Sequence, residues 1–253
     1  ESQLPGMASY ARVRDYREYQ LSQKANVEIY RDSELSAEQV QEFGFPHVFL
    51  ATGSSWRRDG VGRWNRAPLA GLDTINVVTP DDIMAGHLPD GPTVIFDDDS
   101  FYMGGVIAER VRLENVPVTV VTPEDVVSAW CEYTSERYQV QKHLLELGIE
   151  IKTTHRLLAY DGRVVTICCI HTGRQQSIEA DALIMVTARS PRDELYQALK
   201  QRIESGAQTP FSSLRRIGDC DAPAIIASAV YAGHRYAREF DTEPDPDVPL
   251  RFE

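Results

Sequence analysis

Two glycine-containing turns have the residue types and positions best suited to binding a cofactor in this sequence. Ala51-Thr-Gly53 ends an apolar run that begins at Val48, and Ile217-Gly-Asp219 precedes a long amphipathic stretch. Glycine lets the backbone approach a cofactor closely, and the amino end of a helix attracts phosphate. An aspartate at such a turn bonds to a cofactor hydroxyl or to the backbone. We therefore predict cofactor-binding positions at Thr52, Gly53, Gly218 and Asp219.

Each turn taken alone also fits a strand end that binds no ligand. The order of the two turns, with a complete unit of alternating strands and helices between them, favours a nucleotide site. Trp56 follows the first turn and is a candidate to stack on an adenine. The alternative for this residue is a partly buried structural role.

Three consecutive carboxylates, Asp97 to Asp99, follow the apolar run Val94-Ile-Phe96 and precede Gly104 and Gly105. A working NAD(P)H site has the pattern G-x-G-x-x-G at the end of its first strand. Here acidic side chains replace the glycines, so both charge and steric bulk oppose a pyrophosphate. We therefore predict a degenerate site that does not bind NAD(P)H. A metal site is disfavoured because no His or Cys accompanies the acids locally.

The elements that position these residues alternate between strand and helix in the middle of the chain. Alternation of this kind predicts a parallel sheet with right-handed crossovers. Gly148 is expected at a helix C-cap. The predicted elements are strands at Val94–Phe96, Val118–Val121, Ile149–Ile151 and Ala182–Thr187, helices at Met103–Asn115 and Thr134–Leu147, and a hairpin of Val164–Ile170 with Ser177–Glu179.

The two flanking segments contribute further elements, and together they predict the domain organisation. The predicted class is α/β, with Rossmann-like FAD/NAD(P)-binding-type domains built on a parallel sheet with antiparallel additions. Residues 76–189 form an inserted NAD(P)-type domain, and residues 1–75 with 190–253 form an incomplete FAD/ADP-binding-type domain. The flanking elements are helices over Tyr10–Gln20, Ser36–Glu42 and Asp221–Phe240, strands at Val27–Tyr30, Val48–Thr52 and before Asp219, a helix and loop within 190–213, and a loose tail from Asp241.

Composition excludes several classes of partner and site. The 253 residues have a formal net charge of -12 and no basic cluster, which disfavours binding to nucleic acid. The four cysteines form no C-x-x-C pair and the six histidines are scattered, so we expect no metal site, iron-sulfur site or disulfide framework from this chain alone, and no catalytic residue. No apolar run reaches the roughly 18 residues of a membrane span and no secretory signal is evident, so we expect a cytoplasmic location.

Several stretches of the chain together resemble one family. They are Arg14-Asp-Tyr-Arg-Glu18, Ala51-Thr-Gly-Ser-Ser-Trp56, Phe101-Tyr-Met103 with Ala108-Glu109, Ile217-Gly-Asp-Cys-Asp-Ala-Pro223 and Ala232-Gly-His-Arg235. These stretches are similar to the carboxy-terminal region of trimethylamine and dimethylamine dehydrogenases and of related demethylases of dimethylglycine and N-methylproline. The resemblance covers most of residues 5 to 240.

The resemblance implies a larger parent enzyme. Its amino-terminal TIM-barrel portion would hold FMN, the substrate and a [4Fe-4S] cluster, followed by two domains similar to those of glutathione-reductase-like flavoproteins. A secondary or tertiary N-methyl amine would give its hydride to FMN, and the resulting iminium would hydrolyse to formaldehyde. Electrons would leave singly through the cluster to an electron-transfer flavoprotein.

The resemblance also indicates which part of that enzyme this chain represents. The barrel and the first G-x-G-x-x-G lie outside this sequence, so we expect the chain alone to be inactive. Thr52, Gly53, Gly218 and Asp219 carry over as the remaining wall of a site for ADP or FAD. The sequence leaves open which amine is the substrate, which nucleotide occupies the site and whether the chain forms a homo-oligomer.

Two rival functions and one docking hypothesis remain at this point. The first rival is an NAD(P)H-dependent enoate or dienoyl-CoA reductase, which should keep the glycine-rich loop that Asp97 to Asp99 replace. The second is a non-catalytic subunit that docks an electron carrier. The aromatic and basic segment Tyr10 to Tyr19 is a candidate docking surface for the electron-transfer flavoprotein, and the alternative is an amphipathic helix that covers the sheet.

Overall fold

We describe a computed structural model in which residues 1–72 and 77–240 are placed. Backbone contacts divide the chain into two compact units: unit 1 contains Glu1–Ile29 and Trp56–Arg189, and unit 2 contains Tyr30–Ser55 and the chain from Ser190 onward. The boundary predicted between residues 75 and 76, and the tail predicted from Asp241, lie outside the described residues. The predicted domain limits therefore stay a prediction.

The helices and strands of the described residues are numbered along the chain. The α-helices are α1 (Ala11–Ser22), α2 (Ala37–Glu42), α3 (Pro80–Met84), α4 (Tyr102–Arg112), α5 (Arg137–Glu146), α6 (Glu194–Glu204) and α7 (Ile226–Glu239). The strands are β1 (His47–Leu50), β2 (Ser54–Trp56), β3 (Thr93–Asp97), β4 (Val118–Val121), β5 (Glu150–Lys152), β6 (His155–Tyr160), β7 (Val164–Cys169), β8 (Gln175–Glu179), β9 (Ala182–Val186), β10 (Arg189–Pro191) and β11 (Ser213–Arg216).

Unit 1 is built on a four-stranded sheet in the order β5-β4-β3-β9, with every neighbouring pair parallel. Every residue of β3 and of β9 is buried, as expected for strands covered on both faces. Helices α4 and α5 link β3 to β4 and β4 to β5. The predicted α/β class, with a parallel sheet and antiparallel additions, is confirmed.

Helix α5 ends where the sequence predicted a glycine cap. Gly148 has a φ of +72°, and the amide of Ile149 donates to the carbonyl of Leu144 at 3.1 Å. This is the pattern of a Schellman-type end, in which a left-handed glycine reverses the chain. The chain can therefore leave α5 and enter β5 within a few residues.

An antiparallel sheet in the order β6-β7-β8 lies against one face of the parallel sheet. The predicted hairpin is confirmed as the β7–β8 pair. Strand β6 was not predicted, because the register of its pairing with β7 shifts between Leu157 and Ala159. A bulge of this kind interrupts the alternation of inward and outward side chains by which a strand is recognised.

The parallel sheet separates two hydrophobic cores in unit 1. Where the sheet meets α4 and α5, the core includes Ile95, Ile107, Val120, Leu144 and Ile184. Where it meets the antiparallel sheet, the core includes Phe96, Leu157, Ile167, Leu183 and Met185. Asp97, the last residue of β3, therefore lies at the carboxyl edge of a sheet that is covered on both faces.

Unit 2 contains the parallel pair β1 and β11 together with α2, α6 and α7. Its core is Ala37, Leu50, Leu199 and Cys220. Helix α2 begins with a capping box in which Ser36 and Gln39 bond reciprocally. Helix α7 begins at Ile226, later than predicted, because the amides of residues 221 and 222 both donate to the carbonyl of Gly218 and close a turn there.

Two further points concern single segments. The strand predicted at Val27–Tyr30 is wrong, since these described residues have no regular secondary structure. The described helices include none that is long and apolar enough to cross a bilayer.

Candidate functional site

The two predicted glycine turns meet at the same end of the sheet in unit 2. Strands β1 and β11 run parallel with Leu50 opposite Arg216, and the amide of Ile217 donates to the carbonyl of Leu50 at 2.9 Å. Each turn follows the carboxyl end of its strand. Parallel strands bring their carboxyl ends to one edge, where α/β sheets bind ligands.

Backbone and side-chain contacts within unit 2 hold the first turn in place. Thr52 Oγ1 lies within hydrogen-bonding distance of the Arg192 carbonyl oxygen, and it is 3.0 Å from Cys220 Sγ. The amide of Arg192 in turn donates to the carbonyl of Gly53 at 2.9 Å. These contacts pin the first turn to the residue that follows the second turn and to the segment after β10.

The two glycines have left-handed backbones but different surroundings. Gly53 has a φ of +80°, and no heavy atom lies within 4 Å of the position that a Cβ would take. Gly218 has a φ of +62°, and its Cβ position lies 3.5 Å from Cβ of Ala229 in α7. Gly53 therefore borders open space, whereas Gly218 lets the start of α7 approach β11 closely.

The carboxylate of Asp219 accepts two hydrogen bonds from unit 2. Ser54 Oγ donates to Oδ2 at 3.0 Å, and the amide of Ala224 donates to Oδ1 at 3.1 Å. Of the two roles predicted for Asp219, the bond to the backbone is present. Sequence reasoning missed Ser54, whose signal would have been a hydroxyl directly after Gly53 on the strand edge.

A charged cluster lies on the same strand end. Arg216, the last residue of β11, pairs with Asp193 at 2.6 Å and with Asp221 at 3.2 Å, and its guanidinium lies 4.7 Å from the centre of the Tyr196 ring. The cluster is partly exposed, so each pair contributes little to stability. It fixes the orientation of the strand end next to the glycine turn.

Trp56 lies in unit 1 and its side chain is buried in the core beside α4. Its amide donates to Asp81 Oδ2 at 2.8 Å, and the Arg189 guanidinium lies 5.4 Å from its ring centre. This environment favours the structural role for Trp56 over adenine stacking.

At the acidic end of β3 in unit 1, the side chains of Asp97 and Asp98 are buried and accept hydrogen bonds from backbone amides. Asp97 is fully buried and accepts from the amide of Ser100 at 2.9 Å, while Asp98 accepts from the amide of Trp64 at 3.0 Å. Burial, followed by the neighbouring charge of Asp99, raises the pKa of Asp97 to about 8. Burial also raises the pKa values of Asp98 and Asp99.

No metal centre is evident in the part of the chain that the structure describes. No group of three or more His, Cys, Asp or Glu side chains is arranged there to hold an ion. Three of the four cysteines, Cys131, Cys168 and Cys220, are buried as free thiols, and Cys169 is partly exposed. Cys220 belongs to the core of unit 2, whereas the other three lie in unit 1.

Comparison with known proteins adds three findings. No family model matches the chain. It is 31% identical over 277 residues to dimethylamine dehydrogenase from Hyphomicrobium sp. (strain x), covering 99% of this chain and 38% of that protein. The solved structure of histamine dehydrogenase from Rhizobium sp. 4-9 has a TM-score of 0.92 and 44% identity, covering 100% of this chain and 40% of that one. The chain thus spans about two fifths of the length of these relatives.

A more distant structure shows the same fold. A 2-naphthoyl-CoA reductase has a TM-score of 0.73 at 19% identity and covers 92% of this chain and 33% of that one. At this level of identity the likeness concerns architecture alone. It agrees with the nucleotide-binding type of fold that both units were predicted to have.

Proposed function

This chain belongs to the family of trimethylamine, dimethylamine and histamine dehydrogenases and corresponds to its carboxy-terminal region, and from that membership we propose that it serves an enzyme that oxidises an amine. The observation that carries the proposal is the 44% identity to histamine dehydrogenase over the whole chain, at a TM-score of 0.92. The named relatives act on different amines, which supports an amine as the class of substrate. Within that class we propose a secondary or tertiary N-methyl amine, which the identity to dimethylamine dehydrogenase supports, and histamine, a primary amine, is the competing substrate in the test.

We propose that the two glycine turns of unit 2 form the wall of a site for an ADP moiety, either free or as part of FAD. Gly53 borders open space, and the positive end of the α7 dipole lies beyond the second turn. Asp219 is held in one orientation by Ser54 and by the amide of Ala224. We propose that the backbone at Gly53 and Gly218 lines this site and that Asp219 keeps the second turn in shape.

The described residues fit an iron-sulfur cluster poorly, since three of their four cysteines are buried and no group of three or more possible metal ligands is found among them. We propose that FMN and a [4Fe-4S] cluster are held by an amino-terminal TIM-barrel portion, within the three fifths of the relatives' length that this chain does not span. FMN would supply acceptance of a hydride from the amine. On this proposal residues 1–253 alone do not oxidise amines. Their role is to stabilise the portion of the enzyme that holds the redox centres.

Electrons are proposed to leave toward an electron-transfer flavoprotein. Helix α1 has no buried residue, and the side chains of Tyr16 and Tyr19 are 61% and 66% exposed. An exposed face with aromatic and arginine side chains is suited to a protein partner. The helix does not bury an apolar stripe against the sheet, which was the alternative reading of this segment.

The rival function, an NAD(P)H-dependent enoate or dienoyl-CoA reductase, receives no specific support. The 2-naphthoyl-CoA reductase structure is 19% identical, and its likeness to this chain concerns the fold alone. The end of β3, where such an enzyme would hold its nicotinamide nucleotide, is filled by the side chain of Asp97. The second rival is a non-catalytic docking subunit. On that function, the complete polypeptide that contains these residues would show no amine-dependent reduction of a flavin.

The test is made on the complete polypeptide that contains these residues. Anaerobic addition of dimethylamine, trimethylamine or histamine should bleach the flavin absorbance, whereas NADH and NADPH should not. Heat-released nucleotide, separated by chromatography, should contain ADP or FAD in addition to FMN. Bleaching by NADPH and by none of the amines would contradict the proposal and favour the reductase.

A further inference from the structure

At the carboxyl end of β3 in unit 1, a buried acidic side chain packs against the first turn of α4. Asp97 is the last residue of β3, is fully buried and directs its carboxyl group at the first turn of α4. A Cβ placed on Gly104 in that turn would lie 2.4 Å from both Cγ and Oδ2 of Asp97. Glycine is therefore required at position 104 by the carboxyl group of Asp97 itself.

The same place is where an α/β unit of this topology binds a ligand. Strand β3 lies between β4, which follows it through α4, and β9, which comes later in the chain. The connection reverses direction at β3, and in open parallel sheets the ligand sits at such a switch point, outside the carboxyl ends of the strands. The phosphates of a dinucleotide then lie at the amino end of the helix after the first strand, which here is α4.

Buried polar atoms at this place lack partners among the residues that the structure describes. They are Asp97 Oδ2, Ser100 Oγ and Ser128 Oγ, on residues that are at most 1% exposed. Ser128 Oγ lies 3.6 Å from the Cβ position of Gly105, the second glycine in the first turn of α4. Buried hydroxyls without a partner are costly, and phosphate oxygens are acceptors that would satisfy them. The polar lining of an anion site is therefore present around the carboxyl group.

The two other acids of the run have different partners. Asp98 Oδ2 accepts from the amide of Trp64 and lies 2.2 Å from the position that a Cβ on Gly62 would take. Burial raises the pKa of Asp99, and the nearby charges of Arg189 and Arg63 offset part of that rise. Asp97 is thus the acid of this run whose carboxyl group lies against Gly104 in the first turn of α4.

We propose that Asp97 is an internal occupant of the dinucleotide position in unit 1, and that its carboxyl group excludes NADH and NADPH from the phosphate position between β3 and α4. The elevated pKa of Asp97 agrees with this role, since a carboxyl group that stays protonated near neutral pH avoids the cost of a buried charge. The residue acts as a determinant of cofactor specificity. The inference concerns unit 1 only and does not depend on the amine-oxidising function.

The experiment compares Asp97→Gly with Asp97→Asn in the full chain. The glycine variant removes the occupant, whereas the asparagine variant keeps its volume and removes only its ability to ionise. NADH and NADPH binding is followed by nicotinamide fluorescence and by calorimetry up to about 1 mM ligand. We expect the glycine variant to bind at least about tenfold more tightly than both the asparagine variant and the unsubstituted chain. Any nucleotide binding in unit 2 is common to all three proteins and cancels in the comparison.

A second measurement tests the packing claim independently. Gly104→Ala should lower the Tm of the unsubstituted chain by at least about 2 °C, and it should have little effect in the Asp97→Gly background. Asp97→Ala replaces Asp97→Gly in both experiments if the glycine variant does not give the native circular dichroism spectrum.

Three results would overturn the inference. They are NADH binding by the unsubstituted chain as tight as that of the glycine variant, a folded glycine variant that binds no better than the asparagine variant, and an equal loss of Tm from Gly104→Ala in both backgrounds. None of these results bears on amine-dependent bleaching of the flavin, so failure here is distinct from failure of the proposed function.

Discussion

The hydroxyl of Ser54 and the carboxylate of Asp219 are joined by a hydrogen bond of 3.0 Å, although 165 positions separate them in the chain. The bond links the residue after the first glycine turn to the residue that closes the second. Because Asp219 also accepts from the amide of Ala224, the pair sets the shape of the segment that leads into α7. The proposed nucleotide wall of unit 2 therefore includes a side-chain contact as well as its two glycines.

Replacing Asp219 with alanine should weaken nucleotide binding and lower the free energy of unfolding by about 1–3 kcal/mol, because the Ser54 hydroxyl and the Ala224 amide lose their acceptor. Ser54→Ala removes only one bond and should cost about 0.5–1.5 kcal/mol. Calorimetry with ADP and urea unfolding measure the two effects. Glu239→Gln, at the far end of α7, is the control and should leave ADP affinity unchanged. Equal ADP affinity in all variants would show that Asp219 does not shape the site.

Two glycines of unit 2 should respond to alanine in opposite directions. Gly53→Ala forces a left-handed conformation on a residue with a Cβ and should destabilise the protein by about 1–2 kcal/mol. It should also reduce ADP affinity, since the new methyl group enters the open space at the turn. Gly233→Ala lies within α7 with no atom within 4 Å of its Cβ position, and it should stabilise by about 0.5–1 kcal/mol. Urea unfolding of the pair gives the comparison, and a stabilising effect at Gly53 would contradict the structure.

The pH dependence of stability should contain a contribution from Asp97. Its pKa in the folded protein is about 8, against 3.8 for an unperturbed aspartate. The folded state therefore holds this proton more tightly than the unfolded state between those two values. The stabilisation is complete below about pH 4 and is lost as the pH rises through about 8, at no more than about 1.4 kcal/mol per pH unit.

Asp97→Asn tests this dependence, because asparagine keeps the shape and cannot ionise. Urea unfolding between about pH 5 and pH 8.5 should show a shallower fall of stability in the variant than in the unsubstituted chain. The neighbouring titratable groups Asp98, Asp99 and Cys131 are present in both proteins, so their effects are largely common to the two curves. Parallel curves would show that the Asp97 proton is not held more tightly in the folded state.

Helix α1 should affect the reaction with the electron acceptor in the complete enzyme. Reversing charge with Arg12→Glu and Arg14→Glu should raise the KM for an electron-transfer flavoprotein and alter its dependence on salt, with amine-dependent flavin reduction unchanged. Lys142→Glu on the exposed surface of α5 is a matched control for charge. Unchanged acceptor kinetics at all salt concentrations would reject α1 as a docking surface.

The sequence predicted the fold best where apolar patterning and tertiary contacts agree. The strand Val118–Val121 was predicted to the residue because four consecutive apolar or β-branched residues are required in a buried parallel strand. The strand predicted at Val27–Tyr30 failed because an alternating pattern does not by itself supply a partner strand, and Ile29 and Tyr30 are 50% and 68% exposed.

At the candidate site, the meeting of the two glycine turns could be predicted, because parallel strands place their carboxyl ends together. The bond from Ser54 to Asp219 could not, because it depends on the register of β1 against β11 and on the path of the chain after each turn. The orientation of Asp97 into the first turn of α4 was likewise beyond pattern reasoning. The three acids were recognised as a barrier of charge and steric bulk, and the structure identifies Asp97 as the one that fills the space next to Gly104.

The pairing of β1 with β11 has a practical consequence for handling unit 2. In the described residues this sheet has only two strands, so each strand has one side on which its main-chain amides and carbonyls meet no other strand of the sheet. Strand edges with unpaired main-chain groups can pair with strands of other molecules. Parallel sheets are rarely found without cover on both faces. Preparations containing this unit without its natural neighbours should therefore self-associate as concentration rises, and additives that weaken intermolecular strand pairing should keep them dispersed.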